Sequence, residues 1–193
     1  MRRYAWMLAT AIALAAPAAL AQQPDYTVGE KVRPEVAKPP PPGVRDLEWD
    51  DMVPTSWNPR QLLDDAGFDD MEDNDPRATA LLEALRKEWD KAPVVTALAG
   101  QKVRLPGFVV ALEGDEDSIR EFLLVPYFGA CIHVPPPPSN QVVLVKAANP
   151  FTEELAMYPV WVTGVMKAGG RATDLGAAGY SIDDAQVEEY PWR

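Results

Sequence analysis

Residues 101–112 read "QKVRLPGFVVAL". Val103 and Leu105 alternate with charged neighbours, Pro106-Gly107 interrupts, and Phe108–Ala111 resumes a run rich in apolar, β-branched residues. Alternation and β-branching point to a strand, and a Pro-Gly pair inside such a run marks a bend rather than an ending. The stretch therefore predicts one long strand bent at Pro106-Gly107. Similar runs follow it. "SIREFLLVP" (118–126) comes after an acidic turn at Glu113–Asp117, then "NQVVLVKA" (140–147) and "YPVWVTGVM" (158–166), with "AGYSI" (178–182) as the fifth run and "QVEEY" (186–190) as a weaker candidate beyond the five. Between the third and fourth runs, "NPFTEELAMY" (149–158) predicts a short helix with Asn149 as cap and Pro150 as first residue. A long bent first strand, five strands in all and a helix between the third and fourth is the order of the OB-fold. The expectation is a mainly β protein with a flanking helix: a five-stranded, OB-like closed antiparallel barrel, most of it formed by Lys102–Met166. A two-layer sandwich would give similar runs.

Outward from the strands, Asp75 and Pro76 open a helix as N-cap and first residue. Its apolar stripe is Ala78, Leu81, Leu82, Leu85 and Trp89, and Pro93 ends it. The stripe reads as core packing. "GFDDMEDND" (67–75) is an acidic loop that lacks calcium-loop spacing. "DLEWDDMVPTSW" (46–57) is too apolar for a free linker and is expected to pack on the domain. Residues 22–44, "QQPDYTVGEKVRPEVAKPPPPGV", read as a disordered or polyproline spacer. Residues 1–21 read as a signal peptide: Arg2 and Arg3, a short alanine-rich apolar core, and Ala19-Leu20-Ala21 before a cut at Gln22. One globular domain then spans 45–193. The expected location is periplasmic, with no membrane insertion once the signal is removed.

The chain carries 18 Lys and Arg against 29 Asp and Glu, a net charge of −11; losing Arg2 and Arg3 makes it −11 − 2 = −13. Nucleic acid and anionic lipid need clustered cations, so neither is an expected partner. Cations and basic proteins remain open.

The single cysteine and the single histidine fall together in "FGACIHVPPPPSN" (128–140). In an extended backbone Cys131 and His133 share one face, and the prolines after them hold the segment extended. Three readings follow. Cys131 is a small buried hydrophobe and His133 a hydrogen-bonded brace. Alternatively, thiolate and imidazole bind zinc or copper(I), with Glu113, Asp115 or Asp117, a methionine or a second chain completing the site. Or the pair is a Cys-His nucleophile of a hydrolase. Tyr127 and Phe128 with Pro135, Pro136, Pro137 and Pro138 form a candidate partner-binding patch.

"LPGFVVALEG", "EFLLVPYFGACIHVPPPPSNQVVLV" and "PVWVTG" resemble the bacterial family known as domain of unknown function 3299, from about Trp49 to the C-terminus. Ala111 stands where that family often has proline. The resemblance implies an exported protein, here without the lipobox cysteine of lipoprotein members. It also implies genes set beside transporters with large periplasmic permease domains, and sometimes beside metal-uptake genes. The resulting expectation is a non-enzymatic periplasmic binding or accessory protein of a membrane transport system. A periplasmic zinc or copper(I) binding protein is the alternative, and a Cys-His hydrolase the third reading.

Overall fold

The computed structural model describes residues 26–32, 39–58, 61–65, 67, 76–113, 118–130 and 137–191. Six strands lie among them: β1 (Arg45–Asp46), β2 (Lys102–Glu113), β3 (Ile119–Val125), β4 (Val143–Phe151), β5 (Val160–Thr173) and β6 (Gly176–Glu189). They run in the order β1-β2-β3-β4-β6-β5, and β2 also pairs with β5, so β2 to β6 close into a barrel.

The bend in β2 makes the closure. Lys102–Gly107 pairs with β5, Lys102 opposite Val165 and Gly107 opposite Val160. Phe108–Glu113 leaves β5 and pairs with β3, Phe108 opposite Val125. One strand thus belongs to two sheet halves. Gly107 permits it because β3 passes very close: a Cβ there would lie 2.7 Å from Leu124 Cγ and 2.9 Å from the Val125 carbonyl oxygen. The edge of the first half that β3 does not use is taken by β1, which pairs in parallel with Val103 and Arg104.

Three expectations need correction. The barrel is not antiparallel throughout, and although most of it lies within 102–166 its closing strand does not. β4 and β6 pair in parallel, Val143 opposite Tyr180. An odd number of strands cannot alternate direction all the way round a ring, so one parallel pair is unavoidable. The closing strand lies beyond Met166 and is continuous: "AGYSI" and "QVEEY" are one strand, with Asp184 at φ 53° absorbing the irregularity between them. Asn149 and Pro150 do not start the helix. Both are strand residues, Phe151 pairs with Ile119, and the helix α3 (Glu153–Ala156) is capped by Thr152, whose hydroxyl accepts from the Leu155 amide at 3.5 Å.

Inward-facing Val103, Leu105, Phe122, Leu124, Val143, Val145, Val160, Val162, Met166 and Ile182 fill the barrel. Such burial, at about 1.5–3 kcal/mol per large side chain, is the main force holding the ring closed. The run Phe122–Val125 is buried throughout, because the outer face of β3 is covered too. This is why it reads as a continuous apolar stretch rather than an alternation.

The other helices are α1 (Gln61–Asp65) and α2 (Pro76–Trp89). α2 starts at Pro76 as expected, while Asp75 is outside the described residues. Its stripe is only partly buried: Leu85 is buried, Leu82 is 47% exposed, and among the described residues no α2 residue enters either hydrophobic cluster. Helical spacing defines a face and not what it meets.

The segment 46–57 does pack on the domain. Leu47, Trp49 and Met52 are buried in the main core. The fully buried Tyr180 bolts the segment down: its hydroxyl donates to the Met52 carbonyl at 2.7 Å and accepts from the Val95 amide at 2.6 Å. Burial pushes the Tyr180 phenol above its ordinary pKa, partly countered by the Val95 amide.

Part of the expected spacer is not free. Residues 26–32 form an arm that lies on the barrel. Gly29 donates to the Phe128 carbonyl at 2.8 Å and the Phe128 amide donates to Glu30 at 2.9 Å. Tyr26, 9% exposed, meets Phe108 edge-on at 5.0 Å. Proline and charge dominate this segment's composition, but one aromatic anchor and one short antiparallel pairing suffice to dock it.

Candidate functional site

On the outer surface of β2 and β5, Pro106 faces Trp161 and Arg104 faces Thr163 across the ladder. Arg104 is only 3% exposed. Its guanidinium grips Asp46 with two bonds, Nε to Oδ1 at 2.8 Å and Nη2 to Oδ2 at 2.9 Å, and lies 4.1 Å above the Trp161 ring. A planar, two-pronged donor suits both partners, which lysine would not. Tyr190, just past β6, packs on the indole at 4.9 Å. The Trp49–Met52 turn is a 3-10 helix that comes over this surface, and Trp49 fixes it by donating Nε1 to the Pro106 carbonyl at 2.8 Å.

The turn does not seal the surface. A cleft of about 430 Å³ remains, lined by Lys31, Val32, Asp46–Asp50, Pro106, Pro126, Trp161 and Tyr190. A second cleft of about 340 Å³ lies beside the same turn, lined by Asp50, Val53, Pro54, Thr55, Trp57, Pro138 and Gln141. Asp50 belongs to both. The interiors are aromatic and proline-rich, and the exposed rim carries Asp46, Glu48 and Asp50. Trp161 Nε1 is shielded from solvent and has no hydrogen-bond partner among the described residues. An unmade bond at a buried donor costs about 1–3 kcal/mol. Few such groups persist without a reason.

Of the residues singled out from the sequence, Pro138 lines the second cleft and several lie outside the described residues. Cys131, His133, Pro135 and Pro136 lie outside the described residues, as do Asp115 and Asp117. Among the described residues no group of three Cys, His, Asp or Glu is placed to hold a metal. Tyr127 and Phe128 are half-buried beneath the arm, and Pro137 and Pro138 are buried, Pro138 at the edge of the second cleft. None of these four is exposed. The Phe128 ring sits 5.7 Å from Phe108 and 6.4 Å from Tyr26, inside an aromatic cluster of the protein's own. The cleft residues Trp49, Trp161 and Tyr190 were not singled out. The available signal was Trp161, an aromatic at an outward position of a half-exposed strand.

No helix among the described residues is long and apolar enough to cross a membrane.

A five-stranded closed barrel with one parallel pair, strapped by its own N-terminal segment, places the molecule among OB-like barrels. A family model for a protein of unknown function, DUF3299, matches residues 49–189, and the chain belongs to that family. A crystal structure of a DUF3299 family protein from Pseudomonas aeruginosa PAO1 is 38% identical, covers 78% of this chain and 98% of its own, and superposes with a TM-score of 0.62. No curated protein matches the chain.

Proposed function

We propose that the protein is an exported, non-catalytic binding and accessory domain of a membrane transport system, and that the double cleft beside Trp49–Met52 receives its partner. The cleft carries this reading. Aromatic and proline surface, a shielded indole N–H without a partner and an acidic rim are the composition of a recognition site rather than of packing. The net charge of −11 favours a basic partner surface over lipid or nucleic acid. Export is supported by the residues of the 1–21 segment, and the transport connection by the family resemblance.

The test uses the full chain expressed in its own host. The expected mature N-terminus is Gln22, read by intact mass. The tagged protein, solubilised with envelope membranes, is expected to retain a transport protein. Asp50→Lys is expected to lose that protein while a control, Leu82→Ser on the exposed face of α2, keeps it. Retention by both variants, or by neither protein nor control, contradicts the assignment of the site.

A further inference from the structure

The double cleft has a geometry that selects among ligand shapes. We infer that its occupant is an extended, proline-rich polypeptide segment flanked by lysine or arginine, supplied by a partner protein. This deepens the reading given above and rests on it. Two apolar clefts that share Asp50 as a lining residue suit a chain that crosses both better than a compact molecule that fills one. A polyproline helix repeats every three residues, about 9 Å, and presents successive ridges of x-Pro to such a surface. Its rigidity also lowers the ordering cost of binding. Aromatic-lined grooves are the recurring receptors of such segments.

The polar groups agree. A polyproline segment has free backbone carbonyls and few amides, so it brings acceptors and needs few. The Trp161 ring lines the first cleft while its N–H is shielded from solvent, so it is the ring that meets the segment. The fixed neighbours are already committed: Trp49 Nε1 bonds Pro106, and Arg104 holds Asp46. Glu48 and Asp50 on the exposed rim meet a flanking cation. The protein's own tract Pro39–Pro42 is exposed, outside the cleft, in the described structure.

The experiment is calorimetric titration of the mature protein with three synthetic peptides: a proline-rich peptide with lysine and arginine flanks, the same peptide with its prolines changed to alanine, and the same peptide with glutamate flanks. The first is expected to bind at least about tenfold tighter than either control, with affinity falling as salt rises. Trp161→Phe, which shrinks the aromatic wall of the first cleft, is expected to weaken it about two- to tenfold. Asp50→Lys, a solvent-exposed change that leaves folding intact, is expected to weaken it at least as much. Equal binding of the alanine peptide overturns the inference, since shape then plays no part. Absence of binding by all three also overturns it; if Asp50 still governs retention of a membrane protein, the cleft remains the site and only the ligand class is wrong. Concentration-dependent dimerisation that is abolished by Trp161→Phe would make the occupant a second copy's Pro39–Pro42 tract, which overturns the assignment to a partner protein.

Discussion

Two outward surfaces of the barrel are apolar, and the chain treats them differently. Over Phe108, Val110, Leu123 and Val125 it lays its own arm, with Tyr26 inserted and backbone bonds made to Phe128. Over Pro106 and Trp161 it lays the Trp49–Met52 turn but leaves about 430 Å³ and an unpartnered indole N–H. Both coverings come from the N-terminal side, so segment length does not explain the difference. Sealing buries rings and adds the backbone bonds between the arm and Phe128, which stabilises the fold. Leaving space forgoes that stabilisation, which suggests a surface kept for another molecule. Exposed or half-covered apolar surface on a soluble domain is where partners bind.

The comparison breaks most severely at Arg104. Arg104→Ala removes the clamp on Asp46 and the cation over Trp161, so both the strap and the floor of the cleft loosen. Because Asp46 is partly exposed, the full penalty for stranding a buried charge does not apply, and the expected loss is about 2–3 kcal/mol in urea unfolding. A loss below about 0.5 kcal/mol would show that the clamp is ornamental.

Tyr180→Phe follows, at about 1–3 kcal/mol, because the Val95 amide and the Met52 carbonyl both lose a buried partner. It also carries a pH signature. The folded phenol titrates above its ordinary value because it is buried. Its contribution is therefore fully present below the unfolded pKa near 10 and is lost as pH rises through the higher folded value. Wild type is expected to lose stability steeply above pH 10 in excess of Tyr180→Phe. Parallel alkaline curves would contradict the assignment.

Tyr26→Ala sharpens the contrast. It is expected to cost about 1–2 kcal/mol through the lost ring contacts. Amide exchange at Gly29 and Phe128 should quicken, while peptide binding at the cleft stays within about twofold of wild type. If binding collapses along with the arm, the two surfaces are one system.

For Cys131→Ser and His133→Ala the size of the effect depends on what the pair does. If the pair binds metal, each lowers zinc or copper(I) affinity and leaves apo stability within about 0.5 kcal/mol. If the pair braces the fold, apo stability falls by about 1–3 kcal/mol instead and metal affinity is unmoved. Calorimetry on apo variants with metal titration separates the two.

The barrel was legible because its signals are local. The alternation of 103–105, the Pro106-Gly107 bend and the β-branched runs each follow from a few neighbouring residues, and their order sufficed for the closed ring. The exact end of β4 was less so. Pro150 is an acceptable first helical residue, but pairing of Phe151 with Ile119 holds the strand open, and pairing is not local. The arm was hidden because one tyrosine in a proline-rich segment carries no period. The cleft was hidden for a related reason. Trp49, Trp161 and Tyr190 are more than a hundred residues apart at their extremes, and only closure of the barrel brings them together. The Cys131 and His133 spacing drew attention because it is compact in sequence, whereas the cleft is compact only in space.

The central claim is that the cleft faces a partner and the arm-covered surface does not. Photoreactive residues placed singly at Asp50 and Thr55 in the clefts, and at Thr27 and Val28 on the arm, in living cells expressing the full chain, test it most directly. All four positions are exposed, so accessibility does not bias the outcome. The account predicts a membrane protein crosslinked from Asp50 and Thr55 and background from the arm. Crosslinks to a membrane protein from Thr27 and Val28, with background from Asp50 and Thr55, would contradict it.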